Sequence, residues 1–201
     1  AYDTWIKVGV DPSHIIKLED NFWEIGPGPS GPDSEIFYDR GEKYDHDGIG
    51  IRLLEEDIEN DRYIEIWNIV FSQFNSKDGV PRDKYPELPS KNIDTGMGVE
   101  RVTATLENVD DNYLTSIFKD VIAKIEELSG KSYSEEENKA SMRIIADHYR
   151  SAVIICGDDA GIKPSNTDQG YILRRLIRRA IRHAKSLNID INSDWEQRIA
   201  K

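Results

Sequence analysis

The sequence predicts an α+β fold, with strands confined to residues 1–108 and helices alone over residues 109–201. Two textures carry the prediction. Residues 63–74, YIEIWNIVFSQF, are rich in β-branched and aromatic side chains, the composition of a long central strand. Beyond Asn108, apolar residues recur at helical spacing in three successive segments. A chain of 201 residues is long enough to bury a core without covalent staples.

In order, WIKVGVDPSHIIKLED predicts a helix end, a turn at Asp11-Pro12-Ser13 and a strand at Ile15–Leu18. GPGPSGPD at 26–33 is too dense in Gly and Pro for a regular element and predicts a rigid loop. SEIFYDRG alternates and predicts a strand. Residues 75–90 hold Gly79, Pro81, Pro86 and Pro89 and predict a loop. NIDTGMGVERV then leads into a helix ending near Leu106. In the second half, one helix ends at Gly130, a natural C-cap. A second follows an acidic turn, and a third follows PSNTDQGY.

Composition narrows the class. The chain is 38% apolar and 32% charged, which is a globular balance. No apolar run reaches ~18 residues, so an ordinary transmembrane helix is excluded. There is no basic-apolar leader, and Cys156 is the single cysteine, which together predict a cytoplasmic, reducing setting. A first residue other than Met predicts a processed or excised piece. The net charge of −12 by itself disfavours nucleic acid. The average hides a basic segment at 163–185, where seven cations face only Asp168 and the local charge is +6. Local charge decides what a surface attracts.

Four constellations are candidates for chemistry. In NIDTGMGVERV, Gly96 and Gly98 either serve a strand-to-helix turn at positive φ or clear space for a ligand. Asp94 could bind an ammonium group and Arg101 a phosphate, a pair suited to a zwitterion or a nucleotide. Trp23 is either ordinary core or one wall of a pocket. In EIWNIV, strict alternation sets Ile66, Asn68 and Val70 on one face and Glu65, Trp67 and Ile69 on the other. Asn68 thus interrupts an apolar face, and a buried amide needs partners. Finally, Arg174, Arg175, Arg178, Arg179 and Arg182 lie opposite an apolar stripe. They are either a solvated face or a rail for phosphates, with Asn166 placed beside them to reach base edges. His14, His46, His148 and His183 show no metal-like spacing, so no metal ligand is assigned.

Taken together, DNFWEIG, GPSGPDSEIFYDRG, EIWNIVFSQFN, DTGMGVERV, IADHYRSA and PSNTDQGYILRRLIRRAIRH resemble the alanyl-tRNA synthetase family, and GMGVER resembles motif 3 of the class II synthetases. The resemblance implies part of a class II antiparallel sheet over 1–108 and a helical domain for the tRNA acceptor stem over 109–201. It implies motifs 1 and 2 upstream of Ala1, and editing and C-terminal parts beyond Lys201. It implies ATP-dependent activation of alanine and transfer to tRNA(Ala), with ATP and Mg²⁺ as cofactors and no zinc in this piece. By residue, it implies that Trp23, Ile66, Trp67, Asn68, Gly98 and Arg101 line the ATP and adenylate site. Asn68, Val70, Asp94 and Gly96 would hold alanine, with Asp94 on its ammonium. Asn166 would read a G·U pair, with Arg174, Arg175 and Arg178 on the backbone. Many family members carry Cys where this chain has Ser30 and Asp33, so no thiol role is available there. A non-catalytic RNA-binding module is the alternative. An editing protein is disfavoured because no HxxxH pair is present.

Overall fold

The structure, a computed structural model, describes residues 1–200 and divides into two compact units, Ala1–Leu106 and Glu107 onward. It is an α+β fold: its described residues form a four-stranded antiparallel sheet and seven α-helices.

The first unit opens with a short helix, α1 (Tyr2–Lys7), and then carries the sheet. Its strands are β1 (Phe22–Glu24), β2 (Gly28–Asp39), β3 (Tyr63–Ser76) and β4 (Glu87–Met97), hydrogen-bonded in chain order. A one-turn helix, α2 (Arg52–Glu55), lies between β2 and β3, and α3 (Val99–Glu107) follows β4. The long strand expected over 63–74 is β3, at the middle of the sheet.

Three expectations need correction. No strand forms at Ile15–Leu18; a 3-10 turn at Pro12–His14, capped by Asp11 on the Ser13 amide at 2.8 Å, runs into irregular chain. A short apolar stretch becomes a strand only where a neighbouring strand completes the ladder. The Gly/Pro segment is not a loop, because Gly28–Pro32 is the first half of β2. The reason is close approach. A Cβ on Gly31 would lie 1.9 Å from the Phe71 carbonyl oxygen, which also accepts the Trp23 indole N–H at 3.1 Å. Glycine lets the strands meet where another residue would hold them apart. Lastly, the loop expected through residue 90 ends at Glu87, where β4 begins. Pro89 is tolerated because β4 is an edge strand.

The connection from β2 to β3 is tied by charge. Arg62 donates twice to Asp39 at 2.9 Å and once to Asp45 at 3.2 Å. Asp45 also accepts the Ile49 and Gly50 amides at 3.1 and 2.7 Å.

The second unit contains α4 (Lys119–Ser129), α5 (Glu136–Gly157), α6 (Asp168–Ser186) and α7 (Trp195–Ala200). Gly130 caps α4 in the left-handed region at φ 66°, as its position predicts. Ile125, Met142, Ile145, Ala146, Ala180, Ala184 and Trp195 are fully buried in one core. Helix α7 has no signal in the sequence because six residues are too few to show a period. It forms because Trp195 is buried in that core, edge-on to Tyr149 at 5.1 Å between ring centroids.

A polar clasp closes this unit. Tyr133 Oη donates to Asp111 Oδ2 at 2.6 Å and accepts from Arg143 Nε at 2.7 Å. Arg143 Nη2 also donates to Asp111 Oδ2 at 2.6 Å, and the Tyr113 amide donates to Oδ1 at 2.9 Å. Burial pushes the Asp111 carboxyl up, but these donors outweigh burial and hold it below the usual range. A depressed native pKa contributes stability that is complete above the unfolded value of about 4 and is lost as pH falls through the native value. Asp111→Asn is therefore expected to lower stability by about 1 kcal/mol at pH 7, a value reduced for partial exposure. The difference from the parent should shrink below pH ~4. Thermal melts followed by circular dichroism at pH 7 and pH 3 check both points.

Candidate functional site

The register of the sheet assembles one polar face. Asn68 pairs with Gly96 on β4 and Glu35 on β2, while Val70 pairs with Asp94 and Asp33. Directly paired residues share a face, so Asp33, Glu35, Asn68, Val70, Asp94 and Gly96 stand together. Glu65 joins them through a β-bulge. Ile36 pairs with Trp67 and the next residue, Phe37, pairs with Glu65, so the extra residue Ile66 breaks the alternation. This corrects the placement of Glu65 beside Trp67. Trp67 stays on the reverse face, where its indole N–H bonds the Thr95 hydroxyl. The structure therefore does not bring Trp67 together with Asn68.

This face is acidic and carries unpaired acceptors. Asp33 Oδ1 and Asn68 Oδ1 are buried without a hydrogen-bond partner. Such atoms are costly unless a ligand satisfies them. Asn68 Nδ2 donates to Glu35 Oε1 at 3.4 Å, a long bond that turns Oδ1 the other way. Burial pushes the Glu35 carboxyl up, and the like charges of Glu65 and Asp33 add to it. A positive group docking here would relieve that repulsion. Asp94 is exposed on the edge strand. An added Cβ on Gly96 would meet nothing within 4 Å, so the space before it is open.

Neither glycine of the GMG motif has the positive φ that a simple turn would use. Gly98 instead makes room for Arg101: a Cβ at 98 would stand 3.2 Å from Arg101 Cδ. Arg101 lies back across the strand and donates from Nη1 to the Glu65 carbonyl at 3.0 Å and to its carboxylate at 2.9 Å. Its charge is committed to Glu65. Trp23 is half-buried on β1 and bonds to β3 backbone, a sheet-closing role. Among the described residues no three His, Cys, Asp or Glu side chains converge to hold a metal ion.

The second unit has its own candidate surface. A groove of about 430 Å³ runs along α6, lined by His148, Tyr171 and Leu176 and by Arg174, Arg175, Arg178, Arg179 and Arg182. Gly170, Leu173, Ala180 and Ala184 bury the opposite side of the helix. Arg175, Arg178, Arg179 and Arg182 form no ion pair among the described residues. Four unneutralised guanidinium groups on one helix form a strongly positive strip. Asn166 stands at its N-terminal end, exposed, with Oδ1 accepting from Arg174.

Comparison with known proteins decides the family. Residues 1–195 match the family described as tRNA synthetases class II (A). The chain belongs to the class II (A) tRNA synthetase family. Similar proteins include an alanine–tRNA ligase of Lactococcus lactis subsp. cremoris, 57% identical over 94% of this chain and 21% of that protein. Another is that of Streptococcus thermophilus, 58% identical over the same shares. A third is that of Streptococcus mutans, 57% identical over 94% of the chain and 22% of that protein. The chain thus spans about a fifth of the length of the curated relatives it matches.

For a class II synthetase chain, the two surfaces divide by charge. The sheet face carries Asp33, Glu35, Glu65 and Asp94 against one committed arginine, so it suits an ammonium and not a phosphate. The α6 groove carries the reverse. Sequence reading missed Glu35, Glu65 and Asp33 as members of the sheet face. Alternation in SEIFYDRG would have marked Glu35; Glu65 could not be found, because the bulge that turns it leaves no sequence signal. Among the described residues no helix is long and apolar enough to cross a membrane.

Proposed function

We propose that this chain is part of an alanine–tRNA ligase of the cytoplasm. Residues 1–108 would belong to its aminoacylation domain and residues 109–201 to its acceptor-stem domain. The observation that carries the reading is the registration of Asn68, Val70, Asp94 and Gly96 on one acidic sheet face. That set offers a carboxylate for an ammonium, an amide for polar fine positioning, and a small apolar contact for a methyl group. Identity of 57–58% to alanine–tRNA ligases supports it.

In the proposed reaction the alanine carboxylate attacks the α-phosphorus of ATP and pyrophosphate leaves. The terminal adenosine hydroxyl of tRNA(Ala) then attacks the carbonyl of the adenylate and AMP leaves. A carboxylate is already a nucleophile at neutral pH, so the first step needs orientation and charge neutralisation, not a general base. Asp94 would accept N–H bonds from the ammonium, and the free Asn68 Oδ1 would take another, held by Glu35. Val70 would flank the methyl and Gly96 would leave the approach open. Mg²⁺ bound to the triphosphate would neutralise its charge. Arg101 could help only by exchanging Glu65 for the nucleotide. The acidic face cannot hold a triphosphate alone, which is why further cations from the rest of the protein belong to this reading.

The test is alanine-dependent exchange of pyrophosphate into ATP. The isolated 201-residue chain should show none, and the whole protein should show it with alanine. Exchange driven by a different amino acid and not by alanine would overturn the assignment. Vigorous exchange by the isolated chain would overturn its incompleteness.

A further inference from the structure

The Arg101–Glu65 pair stands where the two subsites of the sheet face meet. Glu65 shares that face with Glu35 and Asn68, and its charge acts on the Glu35 carboxyl. The backbone beneath the pair is fixed. The Gly98 amide donates to the Ile66 carbonyl at 3.1 Å, and the Val102 amide donates to the Gly98 carbonyl at 2.9 Å. The side chains have more freedom: that of Arg101 is 48% exposed and that of Glu65 34%. Gly98 adds no side chain to crowd the arginine stem, which a Cβ there would approach to 3.2 Å. An ion pair this exposed is weak, and a phosphate takes a guanidinium through two parallel bonds. A nucleotide can therefore draw Arg101 away without moving the sheet.

The exchange changes the charge that an amino acid meets. While Arg101 holds it, the Glu65 carboxylate is neutralised. Once Arg101 turns to a nucleotide, that carboxylate stands bare beside Glu35. Like charges crowd there until a cation answers them.

We propose that Glu65 couples the two substrate sites: a nucleotide takes Arg101, and the carboxylate left behind tightens the hold on the amino acid ammonium. Coupling is reciprocal, so the amino acid equally favours the nucleotide. Glu65 is a positioning residue in this scheme, acting on the nucleotide through Arg101 and on the ammonium through its charge. The amino acid is held loosely until the phosphorus it must attack is in place. The inference rests on the reading of the sheet face as an alanine site and of Arg101 as a nucleotide contact.

Equilibrium binding of alanine to the whole protein tests it, with and without Mg²⁺ and α,β-methylene-ATP, an analogue from which pyrophosphate cannot leave. In the parent the analogue should tighten alanine about tenfold, an ordinary size for coupling between sites. Glu65→Gln should remove the tightening, so that alanine affinity agrees to within about twofold with and without the analogue. Arg101→Ala carries the decisive sign. Without nucleotide it should bind alanine about tenfold more tightly than the parent, because Glu65 is already bare. A merely structural role for the pair predicts the opposite, weaker alanine binding in both variants. The double variant Glu65→Gln/Arg101→Ala should lose the gain. Tightening that persists in Glu65→Gln, or an Arg101→Ala variant that binds alanine no better than the parent, overturns the coupling while the site reading stands. A parent protein that binds no alanine under either condition overturns the site reading, and the coupling with it.

Discussion

Replacing Asp94 with Asn is expected to raise the alanine concentration for half-maximal pyrophosphate exchange about a hundredfold in the whole protein. The change keeps the shape and a polar group but removes the negative charge. A hydrogen bond to a charged partner contributes about 1.5–3 kcal/mol, and each 1.4 kcal/mol is a factor of ten. The half-saturating ATP concentration should stay within a few-fold, because Asp94 and the arginine of the same motif face different chemistry. Arg101 is bonded to Glu65, and Asp94 on β4 pairs with Val70 of β3. Steady-state kinetics with each substrate varied in turn separates the two. An equal rise for ATP and alanine would mean that Asp94 holds the sheet and not the amino acid.

The combined variant Arg175→Ala/Arg178→Ala/Arg182→Ala should weaken binding to an acceptor-stem minihelix about a hundredfold near physiological salt. Each released phosphate contact lowers the slope of log affinity against log salt by roughly 0.9, so the slope should flatten by about three. Among the described residues nothing acidic neutralises these three side chains, and all three line the groove. Helicity should be retained, since the buried side of α6 is Gly170, Leu173, Ala180 and Ala184. An unchanged slope with intact helicity would show the strip to be a solvated face only.

The helical half was the more legible in sequence. A helix buries one stripe, and the stripe is written at fixed spacing within the segment, as in α6, where Leu173, Ala180 and Ala184 repeat on one side. The exception, α7, is held by two buried residues, Trp195 and Ile199, too few to show a period. The sheet was legible only in its centre. Gly28–Pro32 reads as a breaker, yet pairs with β1 and β3 because Gly31 lets backbone approach backbone, a fact about a strand forty residues away. Motif residues Asn68, Val70, Asp94 and Gly96 were each marked by type and proximity, and their union on one face depends on the β3–β4 register.

What the sequence alone determined is the inventory and the local periods: a β-rich half, a helical half, one acidic-glycine motif and one arginine helix. Those follow from composition and from spacing within single segments. What the tertiary structure decided is which charges meet. The bulge at Ile66 turns Glu65 toward Asn68 and gives Arg101 its partner, and the turn ending at Gly170 lets Arg174 grip Asn166. The first outcome depends on register between distant strands, where a one-residue shift would send the same side chains to the opposite face; the second depends on the close approach that Gly170 permits.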